Sequence, residues 1–361
     1  LERGQMPKLY TPAGSSQIVN VPFTMPELKH GAEYWLTLRF KLSNDTMWAE
    51  KGHEVAWSQF KMPFDVPAGP VLKVEDMPAL QLKESAKEVM ISGVDFNLIF
   101  DKEKAHIISF NHMGSKLIKS GPSLNVWRAP TDNDAAIIAV GMAVGWRKFG
   151  LDRIEHEIKS VEVDQISPQV VRIRVASNAC APHVAQGFDC RYTYTVYGSG
   201  DIIIDTDIVP SDKLPPLPRI GLQFCVPGDY NTFTWYGRGP HENYCDRKEG
   251  APVGVYSGTV DDQYVPYIKP QENGNKTVVR WVALTDEKGI GLLAVGMPLL
   301  EVSAHHFTTE DLTRAKHTFE LKRREAITLN LDYKQSGLGG ASCGPGTLPK
   351  YLIKPEPAHF S

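Results

Sequence analysis

Ile327-Thr328-Leu329-Asn330-Leu331-Asp332-Tyr333 alternates apolar and polar residues without a break, placing Ile327, Leu329, Leu331 and Tyr333 on one side of an extended chain. Successive side chains of a strand point to opposite faces, so this stretch predicts a β-strand with one face buried and the other, carrying Thr328, Asn330 and Asp332, toward water. The same two-residue period recurs in Leu36/Leu38/Phe40/Leu42, in Val171/Ile173/Val175 against Arg172 and Arg174, and in Ile220/Leu222/Phe224/Val226. Antiparallel sheets commonly bury one face in this way. The fold class predicted is all-β.

Composition agrees. Gly and Pro number 30 and 26 in 361 residues, a density of turn formers suited to many short strands. Helical signals are brief: Thr308-Thr309-Glu310-Asp311 reads as a capped start leading into Leu312–Lys316, and Trp146–Leu151 as a turn or two. Without β-α-β alternation, neither a Rossmann sheet nor a (β/α)₈ barrel is written in this chain. Strand patterning lapses from Phe64 to Pro78, around Pro67-Ala68-Gly69-Pro70. Three regions are therefore predicted: 1–65, with three or four strands including 17–22, 34–42 and 53–62; a linker, 66–76; and one large sandwich, 77–361.

Thirty-nine basic against 42 acidic residues give a net charge of −3, too weak a field to hold nucleic acid or an anionic membrane. The five cysteines form no C-x-x-C pair, and their sparseness fits a reducing compartment or a fold that needs no disulfide staples. No run of 18 apolar residues is present. The start, Leu1-Glu2-Arg3-Gly4-Gln5, has neither an initiator Met nor a signal-peptide pattern and reads as a point inside a longer polypeptide.

Four segments collect polar, aromatic or glycine residues outside the strand pattern. In Trp127-Arg128-Ala129-Pro130-Thr131-Asp132-Asn133-Asp134, the acids and amide either bond their own turn or form a loop presented at a site. Trp235–Arg247 contains Arg238, His241, Glu242 and Asp246. Here His241 beside Glu242 offers an acid/base pair, while Arg238, Arg247, Glu242 and Asp246 could instead satisfy one another as a structural cluster. In Tyr264–Gly274, Asn273-Gly274 is a hairpin-turn signal. Ser336–Gly346 is rich in glycine, with Cys343 at its tip and no nearby cation to activate the thiol. His305 and His306, adjacent on a strand, point to opposite faces and so cannot chelate one ion; a solvated or capping role is expected. No metal-ligand spacing, carboxylate dyad or Ser/His/Asp set emerges.

Taken together, the segments 127–134, 236–244, 267–274 and 337–340 resemble, in order and separation, the C-terminal region of long bacterial-type family-two β-galactosidases, and 48–60 resembles the end of the preceding sandwich domain. The resemblance implies that 1–65 closes an immunoglobulin-like sandwich and that 77–361 is a galactose-mutarotase-like supersandwich. It further implies a retaining enzyme whose catalytic glutamates, Mg and Na belong to a barrel this chain lacks, so that the chain carries no catalytic residue, metal or cofactor. The expected partners are the missing N-terminal and barrel domains, a β-galactoside such as lactose and, for the parent, further copies of itself. The expected compartment is the cytoplasm, with the periplasm left open. In such enzymes the glycine-rich loop brings an aromatic residue to the active-site mouth; here Cys343 takes that position, flanked by Ser342 and Gly344, while Asp132, Asn133 and Asp134 begin a second loop facing the mouth. The apolar residues Ile137, Ile138, Val140 and Met142 would pack on the barrel. A carbohydrate-binding module or, with His241 and Glu242 as acid and base, an aldose 1-epimerase are the alternative functions.

Overall fold

A computed structural model describes residues 2–135 and 141–361. The chain divides into two compact units, Leu1–Leu72 and Lys73–Ser361. In the first, the strands Trp35–Lys41 and Glu54–Lys61 form an antiparallel hairpin, with Trp35 opposite Lys61 and Leu38 opposite Ser58. Phe64 packs against Tyr34 and Phe23, with ring centroids 5.6 and 6.2 Å apart. None of its described residues is fully buried, as expected when only two strands are available to cover one another. The strand expected over 17–22 does not form: Ile18 is 96% exposed and Pro22 withholds a ladder donor. Phe40, expected on the buried face, is also exposed.

The second unit is a two-sheet sandwich. Among the described residues, one sheet has twelve antiparallel strands and the other five. The centre of the large sheet is the run Lys276–Thr285, Gly291–His305, Ala326–Gln335, Arg219–Pro227 and Ser120–Asn125, each paired with the next. The small sheet runs Ala358–Phe360, Ile202–Pro210, Gly187–Tyr197, Val170–Cys180, Glu155–Ser167. Alternation explains the core between them: Val171, Ile173 and Val175 from one side meet Ile220, Leu222, Phe224 and Val226 from the other in a single buried cluster. Phe100 meets Tyr194 edge-on across the sheets at 5.1 Å, and Tyr333 stacks on Phe360 at 5.5 Å. Each such side chain contributes roughly 1.5–3 kcal/mol on burial.

The helices are as short as their signals suggested. Thr308 caps Thr309–Arg314 in a reciprocal capping box with Asp311. The second, expected from Trp146, begins earlier, at Met142, and runs to Lys148, because Trp146 is wholly buried against Trp127 and its indole N–H donates to Pro216 O. Met142 itself packs on this unit's core, while Ile137, Ile138 and Val140 lie outside the described residues. No helix among the described residues is long and apolar enough to cross a membrane.

One sequence expectation fails in an informative way. Asn330 and Asp332, assigned to a wet face, are 4% and 0% exposed. Their strand is interior to the large sheet, and around Asp332 the face away from the sandwich core is roofed by the polar segments, Glu272 of one of them reaching Arg219 beside Asp332. Here that face is polar and buried.

Phe100→Ala should therefore lower unfolding free energy by about 3–5 kcal/mol, and Phe100→Leu by clearly less, in urea titrations followed by tryptophan fluorescence.

Candidate functional site

Arg219, the first residue of its strand, cannot leave its charge bare inside the roofed face. Its Nε and Nη2 donate to Asp332 Oδ2 at 3.0 and 2.5 Å, and Nη1 donates to Glu272 at 3.1 Å. A parallel arrangement holds Arg128, also 0% exposed: Nε and Nη2 fork onto Asp134 at 2.9 and 2.8 Å, and Nη1 and Nη2 reach the carbonyls of Ser336 and Gly337 at 2.6 and 3.2 Å. Desolvation of each ion costs several kcal/mol, so such groups persist in an interior only when paired with good geometry and further hydrogen bonds. Both guanidiniums are held above their ordinary range: burial opposes their charge, but Asp134 beside Arg128 and Asp332 beside Arg219 outweigh it. Asp332, bonded through Oδ2 alone, is pushed up to about 6 by burial, with Arg219 pulling the other way.

These pairs join segments far apart in the chain. Asp132 exchanges two hydrogen bonds with the Gln271 amide, and Glu272 N–H donates to Ala129 O. Glu242 accepts from Arg247 at 2.5 Å, from Gly274 N–H at 2.8 Å and from the Tyr267 hydroxyl. Asp246 accepts the backbone N–H groups of Leu338 and Gly339 at 3.0 and 2.8 Å. Asn133 donates to Gly339 O at 2.8 Å and accepts from Ser342 N–H at 2.9 Å. All four segments thus meet, and the glycine-rich loop is gripped from two sides. Gly337 has no room for a side chain, since a Cβ there would lie 2.6 Å from the Asp246 carboxylate, and Gly339 turns the chain at φ +64°. At the loop tip, Ser342, whose N–H is held by Asn133, and the following Cys343 and Gly344 are exposed.

Several expectations are corrected by this geometry. Arg238, Arg247, Glu242 and Asp246 do not satisfy one another as a set. Only Glu242 and Arg247 pair closely; Arg238 bonds the carbonyls of Lys248 and Ala251, and Asp246 serves the loop. His241 is exposed, and the neighbouring Glu242 is already engaged by four donors, Arg247, Tyr267, Gly274 N–H and Tyr244, which leaves it poorly placed as a base. Asn273-Gly274 closes no hairpin; Asn273 accepts from Val265 N–H, and Gly274 serves Glu242. His305 and His306 are buried and bonded, His305 to Asn273 O beneath the 264–274 segment and His306 to Arg324 O and to Asn231. Among the described residues no group of His, Cys, Asp or Glu is arranged to hold a metal ion.

Sequence reading missed Arg219, Glu272, Asp332 and Asn243, whose side chain, 0% exposed, ties Thr277 to Arg238 and His241. A signal was available for the first: Arg219-Ile220-Gly221-Leu222-Gln223-Phe224-Cys225-Val226 carries few charges on either face, the mark of a strand covered on both sides.

The fold and site define an antiparallel β-sandwich scaffold whose buried ion pairs present a loop. The Beta galactosidase small chain family matches residues 92–361, and β-galactosidase domain 4 matches residues 1–63. The chain belongs to the β-galactosidase small-chain family. Beta-galactosidases from Priestia megaterium and Halalkalibacterium halodurans are 38% and 31% identical to it over 89% and 94% of its length, and the chain spans about a third of those relatives (30% and 33%). A solved putative mutarotase from Salmonella typhimurium superposes on 81% of this chain, and on 94% of its own, with TM-score 0.35 and 10% identity.

Two measurements test the buried network. Arg128→Met should cost about 3–5 kcal/mol in urea unfolding, whereas Arg128→Met with Asp134→Leu should cost much less than the two single changes summed. The second concerns Glu301, which accepts from Asn275 and is pushed up from 4.5 to about 7 by burial. The folded state then keeps a proton that the unfolded chain releases. Stability from this group therefore falls as pH rises from about 4.5 to about 7 and is level above that. Glu301→Gln should flatten this part of the stability–pH profile.

Proposed function

We propose that this chain is the non-catalytic C-terminal part of a retaining β-galactosidase that cleaves terminal β-D-galactosides such as lactose, and that it shapes the active-site mouth and supports assembly. The observation that carries the reading is the convergence of four segments on a single polar network that grips the glycine-rich loop by its backbone. A loop fixed in this way can border a pocket completed by another domain, because its shape does not depend on the neighbour being present. Catalytic carboxylates, Mg and Na are assigned to the remaining two-thirds of a protein of the relatives' length. That remainder, further copies of the whole enzyme and the sugar are the proposed partners; the cytoplasm is the proposed compartment.

Cys343 at the loop tip supplies a small apolar contact where an aromatic ring would offer a stacking face, so weak binding of the outer sugar is the expected phenotype. An aldose 1-epimerase is disfavoured by the fourfold engagement of Glu242.

The pure chain should leave a chromogenic β-galactoside uncleaved, and mixing it with a polypeptide supplying the N-terminal and barrel domains should produce turnover; turnover by the chain alone would refute the reading. In the complemented enzyme, Asn133→Ala should raise KM several-fold with kcat nearly unchanged. Cys343→Trp should tighten outer-subsite acceptor binding by about tenfold.

A further inference from the structure

At the end of the sandwich that carries the capped helix Thr309–Arg314, an open groove of about 410 Å3 lies between that helix and residues 320–324. Its charged lining is Asp311, Arg314, Glu320, Lys322, Arg323 and Arg324, four cations against two carboxylates. Both carboxylates are already committed. Asp311 receives a bidentate fork from Arg324 at 2.5 and 2.8 Å and the Thr308 N–H at 2.9 Å; this pairing holds it at about 2, ionised at any working pH. Glu320 is bonded by His317 Nδ1 at 2.9 Å and by Lys316 N–H at 3.0 Å. Arg323 forks onto Asp261, outside the groove, at 3.0 Å for each bond. Arg314 and Lys322 line the groove with no carboxylate partner among the described residues.

Counting Asp261, which Arg323 holds, the four cations face three carboxylates, a surplus of one carried by the unpaired Arg314 and Lys322 against Glu320. The two forks also fix the planes of Arg323 and Arg324, so the walls are preorganised and the two unpaired cations remain to receive a ligand. A tetrahedral oxyanion suits this chemistry: a guanidinium offers paired N–H donors at the spacing of phosphate oxygens, and an ammonium adds a point charge. Leu321 and the buried Ala315 add an apolar portion to the lining, and the volume exceeds that of a lone phosphate, leaving space for an organic carrier.

From this we infer that the groove between Thr309–Arg314 and residues 320–324 binds a phosphate group, free or on a small organic molecule, with Arg314 and Lys322 as its principal ligands. This is independent of the proposed role in galactoside cleavage. The test uses the full chain, with inorganic phosphate and phenyl phosphate as probes, each exchanged against chloride at constant ionic strength and followed by amide chemical shifts and calorimetry. Saturable shifts confined to residues 311–324 are expected. Stronger binding of phenyl phosphate would identify a phosphorylated organic molecule as the ligand, and equal binding free phosphate. Arg314→Gln and Lys322→Gln should each weaken binding by about tenfold, and the pair should abolish it, whereas Lys83→Gln on a distant strand should have no effect. Equal shifts with chloride, shifts spread over the whole surface, or undiminished binding by the folded double variant would overturn the inference.

Discussion

Two fully buried arginines govern this molecule. Arg128 and Arg219 each sit where an unpaired charge would be intolerable, and each is neutralised by a carboxylate from elsewhere in the chain or turn. Hydrophobic burial between the two sheets supplies most of the stability, but it is non-directional and would accept many loop arrangements. The ion pairs are directional. They require the 127–134 turn, the 267–274 segment and the strand end at 335–337 to arrive together, and the glycine-rich loop is positioned as a result.

The organisation resembles an inverted sandwich. The usual layering puts apolar side chains within and polar ones in water; here the large sheet has an apolar inner face and, around Arg219, Asn330 and Asp332, an outer face that is polar yet covered, while farther along Gly291–His305 the outward Leu293, Val295 and Met297 are exposed. The buried amides Asn125, Asn243 and Asn330 connect strand to strand or strand to loop beneath this roof. Since such groups are costly unless satisfied, each constrains its neighbours.

How much of this could be read from the residues depended on what kind of interaction was involved. Strand periodicity announced the second unit well, since Val171/Ile173/Val175 and Ile220–Val226 obey a two-residue rule that needs no knowledge of partners. The capped helix at Thr308 was legible for the same local reason. By contrast, Asp332 looks like any solvent-facing residue of an amphipathic strand until the covering loops are known, and Arg219 finds Asp332 only 113 positions later. The four polar segments stood out individually as sequence, yet their joining, Asn133 to Gly339 or Asp246 to Leu338, is a property of the folded chain. In the first unit, the strand expected over 17–22 does not form, because an apolar stretch makes a strand only where a neighbouring ladder exists to receive it.

The grip on the glycine-rich loop is exerted through backbone amides and carbonyls: Asn133 and Asp246 hold Leu338, Gly339 and Ser342 by their peptide groups, not by their side chains. The architecture of the turn is thereby uncoupled from the identity of the residue at its apex. A lineage can exchange the apical side chain without reworking the frame beneath it, so the chemistry displayed at the apex can drift by single substitutions at almost no cost to folding.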